Sequence, residues 1–565
     1  MNLLIKNIYN IFEIYLVGKI RQNISPYAFL LGVCVEKNYK LSIYLIKKDY
    51  NQFLDCIQEK KKNSIEEYKI KPFYNYNGVI FLSKPKHNIA SWVEILREGS
   101  DTIIDDIKNI SNSAVLMLKI SDRIFACTFG YGKFLLKDNC IEVNFGLKTC
   151  LNLIDHSKLR SMDKANFDDT TILTRMQASS LTSTDSFMID PLGDLLRSIT
   201  GESKDNNFGK TLSGTDAFFI SLKMGFTDIE PLLKNVYEKY MSDGYKEKFA
   251  WVDNVEPVRD KDIIHELDET LVEGLKEKNK LITLSPPGFI EFENFLGISF
   301  TEKGETRNDF DIDFFYEQSK DLQDLDIKKL NTKKVFIVNG SSEVRKPIKL
   351  QKFLNFQTEI DDSKYVCTLG SWFKISKSFY EQIKSDVSKI KESNIEFIKC
   401  NPNWNEKEYN ENLANSNKDF ILFDRKPIKC KNANTTIEAC DVFSIEKELI
   451  HVKVGNKSST LSHLFAQARI SATSMINDKE FREEMRSLIE HKIDKNKLDC
   501  ILPLDKIQNS NYTITFAIIN QYEKPLIDVL PFFSLLNLRQ TYQYLSEYGF
   551  NVRLNQIYRE NIKKN

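Results

Sequence analysis

No stretch of the 565-residue chain stays apolar over the roughly 20 positions that a membrane-spanning helix needs. The N-terminal segment from Met1 to Val35 comes nearest, but Lys6, Glu13, Lys19 and Arg21 interrupt it. Its longest run, Tyr27 to Val35, is too short, and no small-residue cleavage site follows a defined apolar core. Residues 1–36 read as a soluble amphipathic extension, which predicts a cytoplasmic protein with no membrane partner. A surplus of either charge is also missing, since 79 Lys and Arg balance 79 Asp and Glu. Any nucleic-acid contact must therefore come from a local basic patch. The ten cysteines contain no CxxC pair and none of the spacings of a zinc module, so they read as reduced thiols. A phosphate-binding P-loop is lacking too. Gly201 and Gly209-Lys210-Thr211 are separated by seven residues instead of four, and they follow an expected helix instead of a strand. Neither an internal repeat nor a low-complexity linker is evident.

The chain is well beyond the length at which one core keeps growing, so an α+β multidomain protein is expected. Residues 37–155 carry short β-branched and aromatic runs at 40–46, 78–82, 114–120, 123–129 and 141–145, which predict a β-rich domain. Ser121-Asp122 is a hairpin-length link between two of them. The segment Gly130-Tyr131-Gly132-Lys133 has two readings, backbone amides offered to a phosphate or a tight turn with a packed aromatic. Residues 156–300 read as mainly helical, through 188–199, 228–241 and 262–278. A connecting α+β region, 301–390, has an acidic aromatic stretch around Asp309, Asp311 and Asp313 and a basic one with Arg345, Lys346, Lys349 and Lys352. Its strand-like 365–375 precedes a helix over 377–391. Lys374, Lys377, Lys384, Lys389 and Lys391 there form either a surface for nucleic-acid backbone or a solvated helix face.

Residues 391–565 carry the chemistry. A polar helix at 405–415 precedes strands at 419–428, 437–444 and 449–454, a long helix at 460–476, a strand at 512–519, a helix at 533–549 and a last strand at 551–558. With the turn centred on Lys447, Asp441 lies directly across from Lys453, and His451 shares their face while Val452 points away. Asp441, His451 and Lys453 then converge. A carboxylate for a divalent ion, a second ligand and a cation to orient water are what metal-assisted phosphodiester hydrolysis requires. On the following helix Leu461, Leu464, Phe465, Ala468, Ala472 and Met475 mark a core stripe, with His463 and Gln467 on another face. Lys457-Ser458-Ser459-Thr460 offers a helix cap or a phosphate contact.

This α-β-β-β-α-β order, with the Asp441 and Lys453 hairpin, resembles the PD-(D/E)xK nucleases, and implies a C-terminal restriction-endonuclease-like α/β core. The resemblance further implies the Val452 carbonyl as a metal ligand, a helix acid at Glu408 or Glu411 with Glu408 preferred by register, and Gln467 as a residue beside the site. His451 departs from the pattern, standing where Glu or Asp is usual. Imidazole suits Mg²⁺ less than Mn²⁺, so His451 implies either Mn²⁺ chemistry or a degenerate site. The segments RIFACTFGYGKFLL, EVNFGLKTCLNLID, FAWVDNVEPV and IEACDVFSIEKELIHVKVGNKSSTLSHLFAQARISA also resemble a sporadically distributed family of uncharacterised bacterial proteins, over a match from near Leu41 to the C-terminus. Such a distribution implies a mobile-element or phage-defence setting. The expectation is a Mg²⁺- or Mn²⁺-dependent nuclease acting on DNA more readily than RNA, with room for a homo-oligomer. The alternative is a non-catalytic nucleic-acid-binding scaffold that keeps the fold.

Overall fold

The computed structural model describes residues 37–90, 92–166, 172–320, 322–340, 345–429, 436–455 and 458–560. The 1–36 extension thus lies outside the described residues. Two compact units divide the chain, residues 1–155 with 200–243 and residues 156–199 with 244–565. Among the described residues no helix is long and apolar enough to cross a membrane.

The first unit is built on an antiparallel sheet in the order Ile65–Lys69, Gly78–Ser83, Ser113–Ile120, Arg123–Gly130, Lys37–Leu45, Ala217–Met224 and Thr211–Gly214. Its hairpin turns on Ser121-Asp122 as expected, with Ile120 opposite Arg123 and Ser121 at φ 54°. The 141–145 run differs from expectation. Ile141 makes one bridge to Ile46, and Asn144 at φ 60° turns the chain into the helix Phe145–Leu153. Gly146 lets that helix lie on the sheet, because a Cβ there would stand 1.9 Å from the Ala217 carbonyl oxygen.

The stretch expected to be mainly helical is strand-rich in its first half. Ile154–Asn166, Leu173–Thr182, Asp194–Ser203, Thr211–Gly214 and Ala217–Met224 are strands. Pro191 and Gly193 break the supposed helix at 188–199, and the β-branched Ile199-Thr200 pair extends instead. The helices Ile229–Met241 and Lys261–Lys276 form where the apolar periodicity placed them. In the second unit, 365–375 is not one strand. Leu369 and Gly370, at φ 54° and 80°, fold it into a hairpin of Ser363–Thr368 with Ser371–Ile375.

The last part of the second unit comprises, in chain order, α1 (Glu406–Ser416), β1 (Phe420–Leu422), β2 (Val442–Ser444), β3 (Glu448–Val454), α2 (Ser458–Asn477), β4 (Thr513–Asn520), α3 (Phe532–Glu547) and β5 (Asn551–Tyr558). The five strands form one sheet in sequence order. Strands β1 to β3 are an antiparallel meander, and β3, β4 and β5 are parallel. Parallel neighbours need crossovers, which the helical segments supply. Tyr409, Leu413 and Ala414 of α1 pack with Ile450, Val452 and Ala517 in one core. On α2 the predicted stripe is buried, and Phe465 meets Phe516 of β4 edge-on at 5.1 Å. Phe465→Ala should cost roughly 3–5 kcal/mol. A loss below about 1 kcal/mol in denaturant titration would show that α2 is not seated on this sheet.

Candidate metal centre

Strand β2 pairs with β3 only through Val442–Ile450, Phe443–Leu449 and Ser444–Glu448. Beyond Ile450 the edge of β3 has no neighbouring strand, yet it is buried, so its outward amides need acceptors. The Asp441 carboxylate takes the Val452 amide at 2.7 Å, and the Glu406 carboxylate takes the Val454 amide at 3.3 Å. Asp441 itself leaves the ladder. Its amide donates to the Ile450 carbonyl, and its carbonyl accepts from the amides of Phe423 and Asp424. That junction brings the residues after β1 against the residues before β2. Asp424, Glu438 and Asp441 each offer a carboxylate oxygen within 4.8 Å of the other two.

Helix α1 closes the group from one side. Glu406 and Asn410 are four residues apart and so share a helix face. Lys453 donates from Nζ to Glu406 Oε1 at 2.9 Å. Asn410 is fully buried; its Nδ2 donates to Asp441 Oδ1 at 3.4 Å, while its own Oδ1 is buried without a partner. Burial raises the Asp441 carboxyl to about 7, with Glu406, Asp424 and Glu438 adding to the effect and the Val452 amide opposing it. Asp424 and Glu438 are also raised, chiefly by burial.

The expected residues fall into two sets. Asp441 and Lys453 come to the same end of β3, both beside Glu406. Val452 lends its amide, and its carbonyl leaves on the same side, as N–H and C=O of one strand residue do. His451 is elsewhere. It is buried against Phe516, with ring centroids 6.2 Å apart, its Nε2 has no partner, and burial lowers it to about 3. Register alone does not separate His451 from Asp441, because Val442 opposite Ile450 centres the turn on Glu446, one residue before the expected Lys447, and would set Asp441 across from His451. The irregularity at Asp441, whose amide donates to the Ile450 carbonyl, turns its carboxylate to the strand edge instead. Glu408 is likewise occupied. It forms a capping box with Asn405, at 2.8 and 3.0 Å, and faces solvent. Glu411 pairs with Lys407. Gln467 is half-buried on α2, and no hydrogen bond joins it to the acidic group.

Glu406, Asn410, Asp424 and Glu438 were not foreseen. The capping box Asn405-x-x-Glu408 was the available signal, since it uses up Glu408 and makes Glu406 the free acid of the first turn. Two of the five lysines of the expected basic surface are neutralised, as Lys384 pairs with Asp528 and Lys389 with Asp386, both at 2.7 Å. Lys374 lies over the Tyr365 ring. Lys457 and the side chains of Arg345, Lys346, Ser458 and Ser459 lie outside the described residues.

The chain belongs to the family of unknown function DUF6119, which matches it over residues 41–558. The match includes the whole acidic group and both units. No significant match to a curated protein or a solved structure was found.

An all-oxygen donor set fits a hard divalent cation, Mg²⁺ or Mn²⁺, better than a soft one. The raised carboxyls point the same way, since burial outweighs the opposing charges of Arg425 at Asp424 and of Lys453 and Arg425 at Glu438, and the Asn410 oxygen beside them is buried without a partner. With His451 outside the group, its softness gives no reason to prefer Mn²⁺.

Two predictions follow from the burial of these groups. In the folded protein Asp441 holds a proton up to about pH 7 that the unfolded chain loses near pH 4, so its contribution to stability drains away across that window as pH rises. His451, kept neutral, acts in the opposite direction below its unfolded value of 6.5. The informative comparison is therefore with Asp441→Asn, whose stability advantage in EDTA should grow between pH 4 and 7; a constant difference in unfolding midpoint would show that Asp441 titrates normally. His451→Glu should lower stability by roughly 3 kcal/mol or more, because the new carboxylate is buried among aromatics. An unchanged midpoint would place residue 451 back among the acids.

Proposed function

We propose that the 391–565 region is a metal-dependent nuclease that hydrolyses phosphodiester bonds of DNA in preference to RNA, in a mobile-element or phage-defence setting. The observation that carries this reading is the convergence of the Asp424, Glu438 and Asp441 carboxylates, with the Asn410 amide against Asp441 and Lys453 nearby. The order of elements supports it. A helix, an antiparallel three-strand meander, a helix and a parallel strand are the arrangement to which the PD-(D/E)xK resemblance pointed.

In this reading Asp424, Glu438, Asp441 and Asn410 hold the divalent ion, with the Val452 carbonyl on the same edge. The ion supplies Lewis-acid charge at the phosphate and a water of lowered pKa. Lys453 offsets the negative charge of the phosphate and orients the attacking water. Glu406 positions Lys453 through their 2.9 Å contact and fixes the β3 edge through Val454. Asn410 bridges helix and strand, so α1 sets where the acids stand. The scaffold alternative rested on His451 in a ligand position; His451 instead packs against Phe516, outside the acidic group.

Cleavage of single- and double-stranded DNA and RNA should be lost in EDTA and return with Mg²⁺ or Mn²⁺. Asp441→Ala and Lys453→Ala should each abolish it, and the double variant should be no worse than either, as for residues that act as a unit. Glu408→Ala should lose about 1 kcal/mol of helix capping and leave cleavage intact. If the purified protein cuts none of these substrates, and Asp441→Ala leaves its cellular phenotype unchanged, the binding-scaffold reading replaces the nuclease.

A further inference from the structure

A cleft of about 780 Å³ opens in the first unit, away in sequence from every acid of the metal centre. That volume lies within the range of small-molecule sites. Its walls come from the helix Glu59–Lys62, the hairpin of Lys86–Ile89 with Lys108–Ser111, and the turn Gly132–Leu135. Lys61 and Lys84 supply positive charge, Asn88, Asn109 and four serines supply amides and hydroxyls, and no acid lines it. Lys84 forms a 3.9 Å ion pair with Glu66 between exposed side chains, which gives little and is easily exchanged.

Two aromatic rings stand at this cleft in an unusual state. Tyr131 is 57% exposed and Phe134 58%, with centroids 6.4 Å apart. Exposed rings of this kind are common singly, but these two are held on a loop that has no room to adapt. Gly130 has φ +56°, and a Cβ there would stand 2.5 Å from the Asn112 carbonyl oxygen; a Cβ at Gly132 would stand 2.1 Å from that of Ala114. The Tyr131 amide is tied to the Asn112 carbonyl at 3.0 Å. The turn is tight, but its aromatic is presented instead of packed.

We infer that this cleft binds a nucleotide unit, with the base stacked on Tyr131 or Phe134, its edge read by Asn88 and Asn109, and its phosphate held by Lys61, Lys84 and neighbouring serine hydroxyls. Rings serve this purpose because every base has a π-face, and lysines beside hydroxyls match a phosphate. The unit is either a free nucleotide or one residue of a single strand. This inference does not rest on the nuclease reading.

Calorimetric titration of the full-length protein in EDTA, with AMP, UMP, short single-stranded oligonucleotides and inorganic tripolyphosphate, tests it. Saturable binding of a mononucleotide supports a free-nucleotide site, and binding of oligonucleotide alone supports a strand site. Tyr131→Ala should weaken binding roughly 5- to 150-fold, with circular dichroism unchanged and Tyr131→Phe retaining affinity. Lys84→Ala should reduce the slope of log affinity against log salt for the oligonucleotide by about 0.7. The inference is overturned if no nucleotide or oligonucleotide binds, if Tyr131→Ala and Lys84→Ala leave binding unaltered, or if tripolyphosphate binds as tightly as AMP and the aromatic variants are silent.

Discussion

The unpaired edge of β3 governs the arrangement around it. Strand β2 stops at Val442, while β3 runs on to Val454, leaving the Val452 and Val454 amides inside the protein with no strand to receive them. A buried amide must find an acceptor. Here the acceptors are carboxylates, Asp441 for one and Glu406 for the other. An edge that a longer β2 would have paired with neutral carbonyls thus becomes the place where two acids are drawn toward the core. Asp424 and Glu438 arrive with them, because the chain ends that flank β1 and β2 meet at the backbone of Asp441.

Strand alternation makes this chemistry one-sided. Ile450 and Val452 enter the core shared with α1, while His451 faces Phe516, which in turn meets Phe465 of α2. A histidine whose ring is surrounded by apolar groups stays neutral and behaves as a packing residue. Lys453 leaves the strand beside His451, but its long, flexible side chain reaches around the open edge to Glu406, which a short imidazole one turn deeper cannot do.

Long-range order was legible in the sequence where periodicity was strong. The core stripe on α2, the hairpin at Ser121-Asp122 and the α-β-β-β-α-β order all appear in the structure, but the expected strands 419–428 and 437–444 shorten to Phe420–Leu422 and Val442–Ser444, and Ile428–Lys429 pairs with Thr436–Ile437 in a separate two-stranded sheet. Side-chain placement was less legible, because it turns on local irregularity. Moving the hairpin axis from Lys447 to Glu446 shifts the position across from Asp441 from Lys453 to His451 and leaves the faces unchanged. What separates Asp441 from His451 is the irregularity at Asp441, whose amide donates to the Ile450 carbonyl and whose carboxylate turns to the strand edge to accept from the Val452 amide. Glu406 and Glu408 show the same sensitivity on a helix: two residues apart, they face in nearly opposite directions, and the capping box decides which is free. Asp424 and Glu438 had no local signature, since a contact across the meander brings them to Asp441. The strands between 154 and 203 were hidden by apolar spacing that helices and twisted strands share, with Pro191 and Gly193 as the cue that favoured extension.

Magnitudes show why the acidic group demands a positive partner. Two full charges 4.8 Å apart, the limit that encloses the Asp424, Glu438 and Asp441 oxygens, repel by roughly 3.5 kcal/mol at an effective dielectric of 20. A hydrogen bond to a charged group returns about 1.5–3 kcal/mol. The Val452 amide can therefore offset much of one such repulsion but not the sum of several. Lys453 is engaged with Glu406, so its charge is already shared. A proton relieves what remains, so burial first and the neighbouring acids second raise Asp441 to about 7. In the proposed reading a divalent cation would compensate more, since it would oppose all three carboxylates at once. Proton and cation would then compete for the same oxygens, so cation affinity would rise with pH until Asp441 is ionised.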